Sequence, residues 1–441
     1  MVMTVDAWKT LSSRPFIRSE GVKRIDRALR AWWLHGAWGH RTELLALKSA
    51  IDDWVKSKGL RPDGTIKSER GPAVAQLLGE VEHDLRRRDM VVALWSFNNW
   101  AGVNLGMDAR IKACRDAIDV LWQRVANAGI DPSQSVKGIF AAPEYFCAAP
   151  GAGRIVGGHR VRRTVTANEK AAFVQTFRGI SKAAPGVLIV PGSVAWAEPA
   201  NPSEYAQWQQ LKRQIAEVED PSNYNAPKAR VMDGQTASFG AMQHQVPDWD
   251  AKKKLALAPG PKLVMHNTAV ALLDGDVRYE YHKHSDYFEA VNEDLGPQRM
   301  VFLPGAGPGI KTIGGLTFGF EICLDHNIGF LSDRAKGPQI GLSDRRAAPT
   351  LGREFHIVVS DSVGNAPAHM ALAPGGFFVH ASTNPTMTGV WHRVPGGAVE
   401  PVPAEQPVET FLGAPLRLFR ISQYAPEVKS PARKYVPEAW R

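Results

Sequence analysis

Residues 266–283 read HNTAVALLDGDVRYEYHK, and this stretch decides the class of the chain. Two strand-forming runs flank Asp274-Gly275, and Asp-Gly is a strong two-residue hairpin signal because both central residues of the favoured turn need positive φ. The second run ends in a lysine, Lys283, where a strand meets its loop. Upstream, MVVALWSF (90–97), VKGIFAA (136–142) and VLIVPGSVAW (187–196) are short apolar runs with the length and β-branching of buried strands. Between them, Ile111, Cys114, Ile118, Leu121 and Val125 form one helical stripe over 108–128, which makes Cys114 a core residue. Thr166 and Glu169 form a capping-box pattern that opens a helix running to about Ala184.

Downstream, MVFLPG (300–305), IKTIGGLTFGFEIC (310–323), EFHIVVSDS (354–362), GGFFVHAST (375–383) and PLRLFRIS (415–422) are each strand-like. Strands alternating with helices predict an α/β architecture for residues 89–441. Residues 197–260 break the rhythm with polar, proline-rich sequence and one predicted helix over 203–219, and are read as an insertion. Residues 1–88 differ in character. Leu44, Leu47, Ile51 and Val55 share one helical face before Gly59, Pro62 and Gly64 interrupt it, predicting a helical N-terminal extension. The tryptophans of AWWLHGAWGH (31–40) are expected to dock against the main domain.

Composition narrows the class further. The 441 residues are 44% hydrophobic and 22% charged, the balance of an ordinary globular protein. No apolar run approaches the ~20 residues of a membrane span. MVMTVDAWKT lacks the pattern of a secretory signal, and three cysteines argue against a disulfide framework, so a reducing, cytoplasmic location is expected. The net charge is +9, and residues 1–88 carry 17 Lys plus Arg against 11 Asp plus Glu. Those basic residues are scattered and accompany no nucleic-acid-binding motif, so a solvated helical surface is expected, with no nucleic-acid partner.

Three polar residues share a setting. Glu144, in AAPEYF, Lys283 and Cys323, in FGFEICLDHN, each lie at or just past the C-terminal end of an apolar strand, the edge of α/β sheets where ligand-binding residues gather. A carboxylate can take a thiol's proton, and a lysine ammonium lowers the thiol pKa and steadies an oxyanion. The trio suits acyl transfer from a C–N bond through a thioester. Singly, each residue reads as ordinary: a packing cysteine, a capping glutamate, a solvent-facing lysine.

These segments resemble, in the same order, the three signatures of the carbon–nitrogen hydrolase (nitrilase) superfamily: AAPEYF its glutamate motif, NTAVALLDGDVRYEYHKHSDYF its lysine hairpin and GLTFGFEICLDHN its nucleophile motif. The resemblance covers roughly residues 90–422. It implies an α-β-β-α sandwich whose subunits commonly pair, and a catalytic Glu144-Lys283-Cys323 triad with neither metal nor cofactor. It further implies that Lys283 and the Leu324 N–H hold the oxyanion, with Tyr145 beside the substrate. An auxiliary glutamate is expected after the lysine, at Glu289 or Glu293, with Glu293 preferred. Leu324-Asp325 after the cysteine resembles the amide- and carbamoyl-cleaving branch, so a small-molecule amide or carbamoyl compound is the expected substrate.

The chain departs from the family pattern at HNIGFLSDR after Asp325 and at HMALAPGGFF (369–378). His326 beside Asp325 raises the question of a metal pair. With no other ligand at metal spacing in the sequence, a structural role is expected. Two alternatives stand beside the hydrolase of amides: a true nitrile hydrolase, and a binding or host-directed module that uses residues 1–88 as its docking element.

Overall fold

The computed structural model describes residues 41–68, 71–98, 105–149, 154–200, 263–284, 300–327 and 353–424, with short breaks inside several of these spans, together with Leu331 and a few helical residues between 21 and 29. The 31–40 tryptophan stretch, the predicted 203–219 helix, Glu289 and Glu293 lie outside the described residues. The chain divides into two compact units, one of residues 1–90, 125–137 and 421–441, the other of residues 91–124 and 138–420.

The first unit contains helices α1 (Arg41–Lys58) and α2 (Gly71–Leu85). Leu44, Leu47, Ile51 and Val55 of the predicted stripe are all buried, and they pack with Trp54, Leu77, Leu78 and Val81. Helix α1 stops where the sequence breaks, at Gly59, whose φ is +73°.

The second unit is built on two mixed sheets, and three of the elements below, at 87–95, 107–127 and 414–424, run on into the first unit. In chain order its elements are β1 (Arg87–Trp95), α3 (Met107–Asn127), β2 (Gly138–Ala141), β3 (Arg154–Val156), β4 (His159–Val161), β5 (Val165–Thr166), α4 (Ala167–Ala183), β6 (Val187–Val190), β7 (Ser193–Pro199), β8 (Leu263–Leu273) and β9 (Asp276–His282). These are followed by β10 (Met300–Phe302), β11 (Ile310–Ile313), β12 (Leu316–Ile322), the short helix α5 (Leu324–Asn327), β13 (Phe355–Ser360), β14 (Phe377–Ser382), β15 (Gly389–Arg393), β16 (Val399–Pro401), β17 (Glu409–Phe411) and β18 (Ala414–Tyr424). The first sheet has the order β17-β18-β1-β2-β6-β8-β7-β5, with β9 and β10 also pairing with β8; the second runs β11-β12-β13-β14-β15-β16. The architecture is α/β, as the alternation predicts.

Local chemistry sets these elements. Thr166 caps α4, its side chain accepting from the Glu169 N–H while Glu169 accepts from the Thr166 N–H, so the capping box forms as read. The β8–β9 hairpin turns at Asp274 and Gly275, with φ of +56° and +86°. Strands β2, β6 and β8 are buried along their whole lengths; β2 and β6 are accordingly continuous apolar runs, whereas β8 carries the buried polar residues His266, Asn267 and Thr268.

Two predicted single strands are instead pairs. The 187–196 run splits at Pro191-Gly192: β6 pairs in parallel with β2, whereas β7 runs antiparallel to β8 as far as Pro199, three residues into the segment read as an insertion. Gly192 has φ +78°, and a Cβ there would lie 2.0 Å from the Pro143 carbonyl oxygen, so only glycine lets the chain reverse against the 143–146 turn. The 310–323 run is likewise a hairpin, β11–β12, turning at Gly314-Gly315. Apolar content alone does not distinguish one buried strand from two joined by a tight turn.

Candidate active site

The site lies where strands from both sheets end. Strand β13 supplies two consecutive carbonyls to two different elements. The Val359 carbonyl accepts from the Cys323 N–H at 3.0 Å, and the Ser360 carbonyl from the Glu144 N–H at 3.4 Å. Continuing β13, the Asp361 N–H donates to Glu144 Oε2 at 3.2 Å. The glutamate following β2 of one sheet and the cysteine following β12 of the other are thereby anchored within three residues of each other.

Lys283 joins them from the first sheet. Its Nζ donates to Glu144 Oε1 at 2.8 Å, and both side chains are 1% exposed. Asn267 Nδ2, on β8, donates to the same oxygen at 2.9 Å. The Lys283 N–H in turn donates to the Asn267 carbonyl at 2.9 Å, so one residue orients both members of the pair. Ion pairs so fully desolvated contribute little net stability unless every lone pair and proton is satisfied. Here the carboxylate receives three donors, from a lysine, an amide side chain and a backbone N–H.

The backbone is contorted at two of the predicted site residues. Four non-glycine residues among the described ones have positive φ. Asp274 and Leu412 sit in hairpin turns beside a glycine; the others are Tyr145, at +58°, and Cys323, at +44°. Such a conformation costs roughly 1–3 kcal/mol and persists only where its surroundings over-determine it. At Cys323 it bends β12 sharply into α5, and the Cys323 carbonyl accepts from the N–H groups of His326 and Asn327. Cys323 is half-buried whereas Cys114 and Cys147 are fully buried, and burial pushes both of those thiols well above the ordinary range. Cys323 is therefore the accessible thiol among the three.

Tyr145 packs against Ala195, Ala197, Leu263 and Met265, and Leu324 is buried at the first position of α5. The turn after Glu144 is held by a residue that sequence reading missed. Arg110, on α3 and 1% exposed, donates from its guanidinium to the carbonyls of Phe146 at 2.9 Å and Ala148 at 2.8 Å. An arginine on an otherwise apolar helical stripe was its only trace in the sequence. On the lysine side, Gly305 N–H donates to the Lys283 carbonyl, and a Cβ on Gly305 would fall 2.1 Å from the His282 carbonyl oxygen.

Two buried carboxylates flank Cys323. Asp325 Oδ2 accepts from Tyr281 Oη at 2.6 Å and from the His284 N–H at 3.0 Å. Burial pushes Asp325 up to about 7, against the pull of the Lys283 charge and these hydrogen bonds. Glu321 behaves oppositely. Burial would raise it, but the imidazoles of His356 and His326 outweigh that and bring it down to about 2. Glu321 Oε2 accepts from His326 Nδ1 at 2.6 Å and His356 Nε2 at 2.8 Å, and Oε1 accepts from the Leu331 N–H at 2.7 Å.

Glu321, His326 and His356 also form a group with three potential metal-ligand atoms close together. Sequence reading looked for ligands at regular spacing and so missed His356, which tertiary structure brings next to Glu321. The donor set does not fit a cation. His356 Nδ1 accepts from the Ala371 N–H at 3.2 Å, so Nε2 carries the ring hydrogen and points it at Glu321. Burial pulls His356 below its usual range, against the opposing pull of the Glu321 carboxylate. Both contacts to Glu321 Oε2, at 2.6 and 2.8 Å, are hydrogen-bond lengths, shorter than the spacing of ligands each ~2.0–2.1 Å from one ion. The cluster ties α5 to β13.

No family model matches this chain, and no characterised protein matches it in sequence. Among solved structures it is similar to an amidase of the nitrilase superfamily from Nesterenkonia, at 15% identity and a TM-score of 0.37, covering 75% of this chain and 90% of that one. It is also similar to Saccharomyces cerevisiae Nit3, a member of branch 10 of the nitrilase superfamily. That match is at 13% identity and a TM-score of 0.38, covering 77% of this chain and 92% of the other. No helix among the described residues is long and apolar enough to cross a membrane.

Proposed function

We propose that this protein is a carbon–nitrogen hydrolase of the nitrilase type, a thiol enzyme that cleaves a small linear amide or carbamoyl compound. The observation that carries the reading is the fully buried Lys283–Glu144 pair, anchored to the same strand end as a half-exposed cysteine in strained backbone. A structural cysteine needs neither the strain nor a desolvated acid and cation beside it.

In the proposed cycle, the Glu144 carboxylate takes the thiol proton as Cys323 Sγ attacks the carbonyl carbon. The C=O π pair moves to oxygen, and the Lys283 ammonium and the Leu324 N–H stabilise that oxyanion. As the intermediate collapses, the C–N bond breaks and Glu144 returns its proton to the departing amine, leaving a thioester on Cys323. Water then attacks the thioester and gives a proton to Glu144. Collapse releases the carboxylic acid and the thiolate, which recovers its proton from Glu144. Throughout, Asn267 and the Asp361 N–H hold the carboxyl group in place while its charge changes. Tyr145, beside the base, borders the space where the substrate's acyl group would lie.

The test is a screen of short aliphatic amides, N-carbamoyl amino acids and nitriles for ammonia release, with Cys323→Ser as the control and mass spectrometry to trap an acyl adduct on Cys323. The reading expects turnover of an amide or carbamoyl compound and an adduct on that residue alone. Full activity in the Cys323→Ser protein refutes it, and preference for nitriles moves the enzyme to the other branch.

A further inference from the structure

Asp325 lies two residues after the proposed nucleophile, yet its Oδ2 accepts two hydrogen bonds from the lysine strand and its end. One partner, Tyr281, is two residues before Lys283; the other, His284, is the residue after it. A single carboxylate oxygen therefore spans Lys283 on both sides, from the short helix α5 that starts directly after Cys323. Asp325 and Tyr281 are each at most 1% exposed, so neither contact competes with water. The Glu144 ion pair fixes only the tip of Lys283, and Asn267 holds its N–H. The Asp325 bracket ties the Lys283 backbone to α5, and hence to Cys323.

We infer that Asp325 is a positioning residue that sets the distance between Cys323 and the Lys283 ammonium, acting through Tyr281 and the His284 N–H. This rests on the reading of Cys323 as nucleophile, and it goes beyond that reading by giving the aspartate after the cysteine a physical task. A small change in registry at a reacting centre lowers reactivity steeply, about a hundredfold for about 1 Å. Thiolate formation depends on how close the ammonium lies.

Charge and position make opposite predictions, which lets one measurement separate them. Removing a nearby anion by itself favours the thiolate and quickens its alkylation, whereas loosening the lysine strand slows it. Asp325→Asn removes the charge and keeps an acceptor oxygen; Asp325→Ala removes both; Tyr281→Phe removes one hydrogen bond and leaves the carboxylate.

The experiment measures iodoacetamide alkylation of the full chain at neutral pH, resolved by mass spectrometry at Cys323, Cys114 and Cys147. The two buried cysteines report any unfolding in the same sample. Positioning expects Asp325→Asn at or above the wild-type rate at Cys323, Asp325→Ala slower by at least about tenfold and Tyr281→Phe slower by severalfold. The Asp325→Ala/Tyr281→Phe double variant should be no slower than Asp325→Ala alone, because both changes remove the same link. If Asp325→Ala exposes Cys114 and Cys147, Tyr281→Phe decides the matter. Wild-type rates in both Asp325→Ala and Tyr281→Phe, or an Asp325→Asn protein as slow as Asp325→Ala, overturn the inference while leaving the hydrolase reading intact. A wild-type Cys323 no more reactive than a free thiol removes that reading, and the inference with it.

Discussion

Replacing Lys283 by methionine keeps most of the side-chain volume and strands a carboxylate. In the intact protein Nζ lies 2.8 Å from Glu144 Oε1, with both groups 1% exposed. At an effective dielectric of ~20, opposite charges at that separation attract by about 6 kcal/mol before desolvation is subtracted. Removing one partner of such a pair typically costs about 3–5 kcal/mol, because the remaining charge stays buried. Asn267 Nδ2 and the Asp361 N–H still reach Glu144, which places Lys283→Met near the lower end, about 3 kcal/mol. Adding Glu144→Gln removes the stranded charge and leaves an amide that Asn267 can satisfy. The double variant should therefore recover at least about 1.5 kcal/mol of that loss.

The assay is pulsed alkylation of Cys114 and Cys147 across a urea series. Both thiols are buried within the unit that contains the site, so their exposure reports its unfolding separately from the helical unit. A double variant destabilised by the sum of the two single losses would show that the pair is not coupled, and would falsify the account of Glu144 as a carboxylate held by its cation.

Two further outcomes follow from the same geometry. Gly192→Ala sets a Cβ 2.0 Å from the Pro143 oxygen at a φ of +78°, so the unit should lose at least about 2 kcal/mol by the same assay. Gly179→Ala, on α4 with nothing within 4 Å, should be neutral or stabilising, and equal losses at the two sites would contradict the close approach. The carboxylates beside Cys323 should give opposite pH dependences. Glu321, lowered to about 2, contributes stability that is complete above about 4.5 and lost as pH falls towards 2, about 3 kcal/mol in all. Asp325, raised to about 7, makes a contribution that is present at low pH and lost as pH rises from about 4 to 7. Urea titrations at several pH values should show Glu321→Gln flattening the acid limb and Asp325→Asn the near-neutral limb; unchanged profiles in both would count against these assignments.

The sequence by itself determined what short-range chemistry controls. Asp274-Gly275 names its own hairpin, Thr166 and Glu169 their own cap, and the Leu44-Leu47-Ile51-Val55 stripe its buried face, because in each case the deciding partners lie within a few residues. The three candidate residues were legible too, since each follows an apolar run that ends abruptly in a polar group. Sequence reading failed where a turn inside an apolar run was invisible, as at Pro191-Gly192 and Gly314-Gly315.

Only the tertiary structure decided how the candidates meet. The carbonyls of Val359 and Ser360, the amide of Asn267 and the guanidinium of Arg110 come from segments far apart in the chain, and no local pattern marks them. The same holds for the acids around Cys323. Four residues apart in sequence, Glu321 and Asp325 look equivalent; folded, one faces two imidazole donors and the other a buried phenol beside a lysine. Ionisation depends on the field and the water that neighbours in space supply, and the fold alone brings those neighbours together.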